Sequence, residues 1–592
     1  MTEGLVILHD AARAKWLRFE EPCRIISAYS TEEVLPALNT VEALMRVHGW
    51  HAAGFISYEA GSAFDAALHT HAARDFPLLW FGLYAKPVEI DLPDPDYAAY
   101  MLADPEPCIS RAEYDQAIGR VKRYIESGDT YQVNYTLRLH AAFRGDPWHL
   151  FLAMVRAQSA GYAAYIDTGR YAICSASPEL FFRFENGRLT CKPMKGTVHR
   201  GRTLDEDKAL SSWLQNSEKN RAENLMIVDM IRNDLGRVAD FGSVRVPAMF
   251  EVERHPTLWQ MTSTITARCG RPLAEIMTAL FPCASITGAP KVRTSEIIAE
   301  LESLPRRIYT GSIGFMSSDG AAQFSVAIRT AVVDRSSGQV EYGSGGGIVW
   351  DSASKDEYTE ALLKARVLTE QRPAFSLLET IRWTREDAYF LLEYHLLRLA
   401  ASAEYFGYPM DSSRIRQRLL EQAAEFGREP RRVRLLVART GAIEIQADRL
   451  SEKESNRPLR IALAREPVNS ADVFLYHKTT NRLIYEKARD SRPVCDDVLL
   501  WNEKGELTES CIANIVVEMD GCLYTPPVDC GLLAGTFRAW LLDQSIIRER
   551  RLKIGDLARC SKIFLINSVR KCQEAIMIPD SKFQIPDFES KD

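Results

Sequence analysis

No stretch of this 592-residue chain approaches the roughly 18–20 apolar residues that a membrane-crossing helix needs, so no membrane span is expected. The opening MTEGLVILHDAARAKW lacks a basic segment followed by a sustained apolar run, and no signal peptide is read there. The 12 cysteines include no C-x-x-C pair, and no H-E-x-x-H occurs, which removes the commonest redox and zinc signatures. His69 and His71 alternate in a loop-like stretch and are read as incidental. A chain this long does not need a disulfide framework, so the cysteines are read as reduced thiols in the cytoplasm. Positive charge is not in excess. A net charge of -6 gives no global basic field for nucleic acid, and local pairs such as Arg431-Arg432 are read as solvated faces. Repeats and low-complexity tracts are also missing.

What is present is ordinary globular composition, 46% hydrophobic and 26% charged, in a chain longer than one core can organise. The clearest seam is Gln371-Arg372-Pro373, where the helical stretch KDEYTEALLKARVLTEQ meets a proline that disfavours helix before it. Beyond it FSLLETIRW reads as a strand. The expected boundaries are an N-terminal part at 1–105, a catalytic core at 106–370, a linker at 371–375 and a second domain at 376–592. Strands such as YAAYIDTG and LFFRFENG alternate with helices such as EKNRAENLMIVDMIRND, so the class is α+β, with long sheets in the first half.

Several patterns carry chemistry in the first half. Asn220 with Glu223, and Glu357 with Glu360, stand three apart on helices and so share a face. Such oxygen ligands suit Mg²⁺, and an exposed acidic face has the same pattern. YGSGGGIVWDS reads as a strand and a glycine loop, either a tight turn or a place where backbone N–H groups meet an anion. In CKPMKGTVHRG, Lys195 is a surface lysine or a nucleophile whose pKa is lowered by burial and by Arg200 and Arg202.

Taken in order, SASPELFFR, PMKGT, KNRAENLMIVDMIRNDLGRV, ERHPTLWQMTSTI, ASITGAPKVRTSEII, RRIYTGSIGF, FSVAIRT and GSGGGIVWDS resemble the chorismate-utilising enzymes. That family includes the large subunit of anthranilate synthase, isochorismate synthase and aminodeoxychorismate synthase component I. The resemblance runs from about Ser110 to Arg366 and implies a two-sheet α/β sandwich. It implies Mg²⁺ held by Glu223, Glu357 and Glu360 against the ring carboxylate of chorismate. The enolpyruvyl carboxylate would sit on Gly345, Gly346, Gly347, Arg329 and Tyr309, with Thr287 lining the ring pocket. His255 and Glu179 would assist departure of the C4 hydroxyl. Lys195 stands where anthranilate synthases typically carry alanine, and resembles the aminodeoxychorismate branch, whose lysine attacks C2 before ammonia enters at C4. Many relatives have an acid in place of Asn220, which argues against Asn220 as a direct ligand. No glutaminase triad is visible, so ammonia is expected from a separate glutamine amidotransferase subunit.

In the second half, HLLRLAASAEYFG, HKTTNRLIYEKAR, LTESCIANIVV and GLLAGTFRAWLL resemble fold-type IV pyridoxal-phosphate enzymes, with two subdomains. These include branched-chain and D-amino-acid aminotransferases and aminodeoxychorismate lyase. The resemblance implies Lys478 as Schiff-base lysine and base, Glu509 on the pyridine nitrogen, Arg398 and Thr536 on the phosphate, and Thr380 assisting elimination. Gly535-Thr536 would open a helix whose N-terminal amides face the phosphate. Relatives imply a homodimer through this half. Together the two resemblances imply p-aminobenzoate synthesis from chorismate for folate. The alternative is anthranilate, salicylate or isochorismate synthesis joined to an aminotransferase.

Overall fold

The computed structural model describes residues 3–72, 75–158, 160–372, 374–450 and 457–578. Pro373 at the seam, and residues 579–592 of the second expected domain, lie outside the described residues. Two compact units emerge: Met1–His199 with Leu210–Arg372, and Arg200–Ala209 with Pro373–Asp592.

The first unit is a two-sheet sandwich clad in helices. Its sheets have 11 and 10 strands, paired antiparallel throughout among the described residues. Between them lies an apolar layer of Val6, Ile166, Ile173 and Val332 from one sheet and Phe55, Ile313 and Phe315 from the other. The long strand Gln132–Gly145 shows why one face attracts helices. Val133, Tyr135, Leu137, Leu139 and Phe143 recur at every second position or its multiple and share one face. The helix Arg111–Glu126 meets that face with Tyr114, Ala117, Ile118 and Val121, a 3.6-residue stripe. Its start is fixed by a capping box, in which Ser110 and Glu113 satisfy each other's backbone N–H. The outer face of the other sheet is covered by Thr31–His48 and by Glu218–Gly236, whose Ile227, Val228, Ile231 and Leu235 are buried.

The second unit holds a four-stranded antiparallel sheet and an eight-stranded mixed sheet, each with its own apolar cluster. Helices Leu392–Phe406 and Ser412–Ala424 pack on the smaller sheet through Leu396, Leu399, Ile415 and Leu419. The ten residues Arg200–Ala209 belong to this unit. Arg200 forks onto Asp207 at 2.6 and 2.7 Å and donates to the Tyr405 carbonyl at 2.8 Å. Its guanidinium lies 4.3 Å over the Tyr405 ring, whose hydroxyl donates to the Gly201 carbonyl. Both charges are buried, so these extra hydrogen bonds offset much of their desolvation. No helix among the described residues is long and apolar enough to cross a membrane.

Candidate active sites

The first site forms where three elements converge. The strand Met194–His199 carries Lys195, the helix Glu218–Gly236 carries Glu223, and the helix Ser354–Ala365 carries Glu357 and Glu360. Lys195 is thus held on a strand. Its pairing with Leu258–Arg268 slips between Met194 and Thr197, and Gly196 sits there at φ +92°. Such an irregularity re-aims a side chain. Two carbonyls of this stretch are pinned: Gln260 Nε2 donates to Gly196 at 2.8 Å and Asn224 Nδ2 to Lys195 at 3.4 Å.

Lys195 is half-buried, and desolvation pulls its pKa below the usual lysine range. Glu223, Glu179 and Glu360 oppose that shift, while Lys364 adds to it. The cationic neighbour is therefore Lys364. Arg200 and Arg202, expected beside Lys195, are instead engaged with Asp207 and Glu206 in the second unit. Burial lifts the Glu179 carboxyl to about 7, against a 2.7 Å hydrogen bond from Ser285. Burial raises Glu357 as well, with Glu360 adding and Ser352 Oγ, 2.6 Å away, opposing. Glu360 is held low by Lys364, 2.7 Å from it. His255 is pushed below its normal range by burial and faces Glu253, Arg329 and Lys192. Arg329 interacts with Glu360, His255 and Tyr309, which ties those positions into one charged web. Thr287 is fully buried; its hydroxyl donates to Cys283, and its carbonyl accepts from Asn134 of the Gln132–Gly145 strand.

The glycine run is not a loop. Gly343, Gly345, Gly346 and Gly347 lie inside the strand Gln339–Ile348, paired with Gln132–Gly145. Crowding is the reason: a Cβ on Gly343 would stand 2.2 Å from the Tyr309 ring, and one on Gly345 2.2 Å from the Tyr135 carbonyl. Pairing also sorts the amides. Asn134 and Thr136 send their N–H groups to Thr287 and Glu302, so they make no ladder bonds with their partners Gly347 and Gly345. Antiparallel alternation then aims the N–H groups of Gly345 and Gly347 away from that strand, while Gly346 bonds into it. Over this strand lies the helix Ser354–Ala365, drawn close by Ser344 Oγ on the Ala361 carbonyl and Lys364 Nζ on the Gly345 carbonyl.

A Cβ on Gly347 would meet Lys195 Nζ at 2.8 Å and Gln132 Nε2 at 2.7 Å, both ends of flexible side chains. Gly347→Ala should therefore fold yet displace Lys195, lowering turnover at this site about 10²-fold, since a misplacement near 1 Å has that cost. Steady-state rates of the first unit, with the activity of the second unit as internal control, measure this. An unchanged rate would show that Lys195 tolerates the displacement.

Among the described residues, no group of three or more His, Cys, Asp or Glu side chains could hold a metal by itself. Mg²⁺ takes one or two carboxylates with waters and substrate oxygens, and the interacting Glu357 and Glu360 meet that demand. Asn220 Nδ2 donates at 2.8 Å to Ser217 Oγ, which caps its helix.

The second site surrounds a cavity of about 310 Å³ in the second unit. Thr380, Arg398, Lys478, Glu509 and Thr536 all line it, together with Arg482, Tyr485 and Asn514. Burial and Arg398 bring Lys478 down to about 8. Burial lifts Glu509 to about 7, while Tyr485 OH donates to one of its oxygens at 2.8 Å and Asn514 Nδ2 to the other at 3.1 Å. Gly535 caps the helix Thr536–Asp543, and a Cβ there would collide with Asn514 Oδ1 at 1.9 Å. A lysine, an acid, an arginine and a helix N-terminus around one cavity fit pyridoxal phosphate.

Sequence reading missed Arg432, Arg434 and Arg570, which also line the cavity. Arg432 is exposed and paired with Asp448, as a solvated face requires, and its alternate placement with Arg434 on the strand Arg431–Val437 also sets both along the cavity. Glu379 was also missed, although it shares the buried face of its strand with Leu377, Ile381 and Trp383. A charge on an apolar face was the available signal.

Residues 96–370 match the family model of chorismate binding enzymes, and residues 376–576 that of class IV amino-transferases. The chain is 44% identical over 265 residues to aminodeoxychorismate synthase component 1 of Klebsiella aerogenes, covering 44% of this chain and 58% of that protein. It is 38% identical over 262 residues to anthranilate synthase component 1 of Aquifex aeolicus, covering 44% and 52%. It thus spans little more than half the length of these curated relatives. The crystal structure of anthranilate synthase component I from Streptococcus pneumoniae has the same fold, with a TM-score of 0.52 at 24% identity, covering 62% of this chain and 93% of that one.

Proposed function

We propose that this chain, a chorismate-binding-enzyme domain followed by a class IV aminotransferase domain, makes p-aminobenzoate from chorismate in two steps. The observation that carries the reading is a half-buried lysine of lowered pKa beside acids in each unit, Lys195 in the first and Lys478 in the second.

In the first step, Lys195 attacks C2 as a neutral amine while the C4 hydroxyl leaves. Glu179, lifted to about 7, is protonated in a large fraction of molecules at neutral pH, and that form delivers its proton to the oxygen, so water departs. His255, kept neutral by burial, supports the same oxygen. Ammonia then bonds to C4, the ring double bond shifts back, and Lys195 is expelled. Ammonia comes from a separate glutamine amidotransferase subunit. Glu357 and Glu360 would hold Mg²⁺, which supplies positive charge to the ring carboxylate when bound, while Glu223, outside any three-carboxylate group among the described residues, acts on the Lys195 amine. Arg329, Tyr309 and the strand glycines orient the enolpyruvyl carboxylate, and Thr287 lines the ring pocket.

In the second step, Lys478 takes the C4 proton of the 4-amino intermediate. Thr380 assists loss of pyruvate, and the ring becomes aromatic. Pyridoxal phosphate, when bound, supplies an electron sink for this elimination. Glu509, steadied by Tyr485 and Asn514, would hold its ring nitrogen, while Arg398 and Thr536 would take its phosphate. Arg432, Arg434 and Arg570 favour a substrate with two carboxylates over a simple amino acid.

The test is a product assay with chorismate, Mg²⁺, pyridoxal phosphate and concentrated ammonium, using the purified chain alone. p-Aminobenzoate and pyruvate in equal amounts are expected. Anthranilate, salicylate or isochorismate would reassign the first unit and leave the second as an aminotransferase.

A further inference from the structure

Beneath the anion end of the second cavity lies a buried network to which the steps above give no task. Glu379 is 1% exposed and His395 is fully buried. Arg398 donates to Glu379 twice, from Nε at 2.9 Å and from Nη2 at 2.6 Å. Its Nη1 donates to the Ala534 carbonyl at 3.0 Å. A guanidinium has five N–H groups, so these bonds leave two, one on each Nη. The fork is therefore oriented before any ligand arrives.

The other arm runs through His395. Its Nδ1 lies 2.6 Å from Glu379 Oε2 and its Nε2 3.3 Å from Thr536 Oγ1. Glu379 is ionised, acting as acceptor for Arg398, so Nδ1 carries the proton and donates to it. Burial keeps the imidazole neutral, and Nε2 then accepts from the Thr536 hydroxyl. One carboxylate thus sets the arginine directly and, through the imidazole, the first residue of the helix Thr536–Asp543.

We infer that Glu379 and His395 are positioning residues for the cofactor phosphate, holding Arg398 and Thr536 in the geometry that receives a phosphate dianion. The inference rests on the pyridoxal-phosphate reading of this cavity. It gives the network a task that the aldehyde and ring of the cofactor do not share. Losing Glu379 should weaken recognition of the phosphate and leave recognition of the rest unchanged.

Cofactor-free protein is titrated with pyridoxal phosphate and, separately, with pyridoxal, which has the same aldehyde and no phosphate. The signal is the visible absorbance formed when either aldehyde condenses with Lys478. Glu379→Gln keeps the shape and removes the charge. Its affinity for pyridoxal phosphate should fall about 10- to 100-fold, the scale of a charge-assisted hydrogen bond, while that for pyridoxal holds. His395→Gln, which leaves the Arg398–Glu379 pair in place, should show a smaller loss with the same selectivity and covers the case in which Glu379→Gln does not fold. Equal weakening of both aldehydes would mean a merely structural role and overturn the inference. So would unchanged binding of both. If the wild-type chain condenses with neither aldehyde, the cofactor reading itself falls, and this inference with it.

Discussion

Replacing Lys478 by alanine is expected to halt the chain at the 4-amino intermediate, with chorismate consumed and no p-aminobenzoate formed. The second reaction should fall by at least about 10³-fold, because the proposed mechanism makes one side chain both the covalent anchor and the base. The fold should survive: the residue's tie to the smaller sheet is its backbone carbonyl, which accepts from the Leu378 N–H at 3.0 Å. Wild-type behaviour with pH has a definite sign. Only the neutral amine condenses with an aldehyde, and Lys478 loses its proton at about 8. Condensation of the cofactor-free protein with pyridoxal phosphate should therefore accelerate as pH rises toward about 8 and level off above it. Chromatography of the products checks the first expectation and stopped-flow absorbance the second. Continued release of p-aminobenzoate by Lys478→Ala would remove this lysine from the chemistry.

The complementary loss is expected at Lys195. Lys195→Ala removes the amine, and Lys195→Met removes it while keeping most of the volume. Both should reduce formation of the C4 amine about 10²- to 10⁴-fold, leaving the second reaction intact on supplied intermediate. Agreement between the two variants separates loss of the nucleophile from a packing defect. The surroundings make the lysine a demanding position to fill, because Glu179, Glu223 and Glu360 all act on it electrostatically. A variant without the amine that still aminates chorismate at normal rates would show that ammonia enters with no covalent help, and the role of Lys195 would be withdrawn.

Much of this architecture was legible from pattern alone. The 3.6-residue stripe of Arg111–Glu126 and its Ser110–Glu113 box announce a helix locally, without tertiary context. Those signals live within a few residues of each other. The errors fall where distant chain decides. Consecutive glycines read as a loop because glycine weakens an isolated strand. Here Tyr309 and Tyr135 come from far away in sequence and leave no room for a side chain on Gly343 and Gly345. Arg200 and Arg202 are near Lys195 along the chain, yet the folded neighbour is Lys364. Arg432 is solvated as its pair with Arg431 suggests, and only strand pairing shows that it and Arg434 also line a cavity. Sequence order supplies the motifs; the partners of each motif come from topology.

The ten residues Arg200–Ala209 have a genetic consequence. The two units are interleaved along the message, not written one after the other. An open reading frame restarted at the seam would encode a second unit without the peptide that carries Arg200, Gly201 and Asp207, on which Tyr405 closes. It would also leave His477, next to Lys478, without the Arg202 carbonyl that its Nε2 contacts at 3.2 Å. A deletion of the first unit is thus a lesion in the second. Genetic complementation by separately expressed halves would have to restore ten residues that lie on the far side of the apparent boundary.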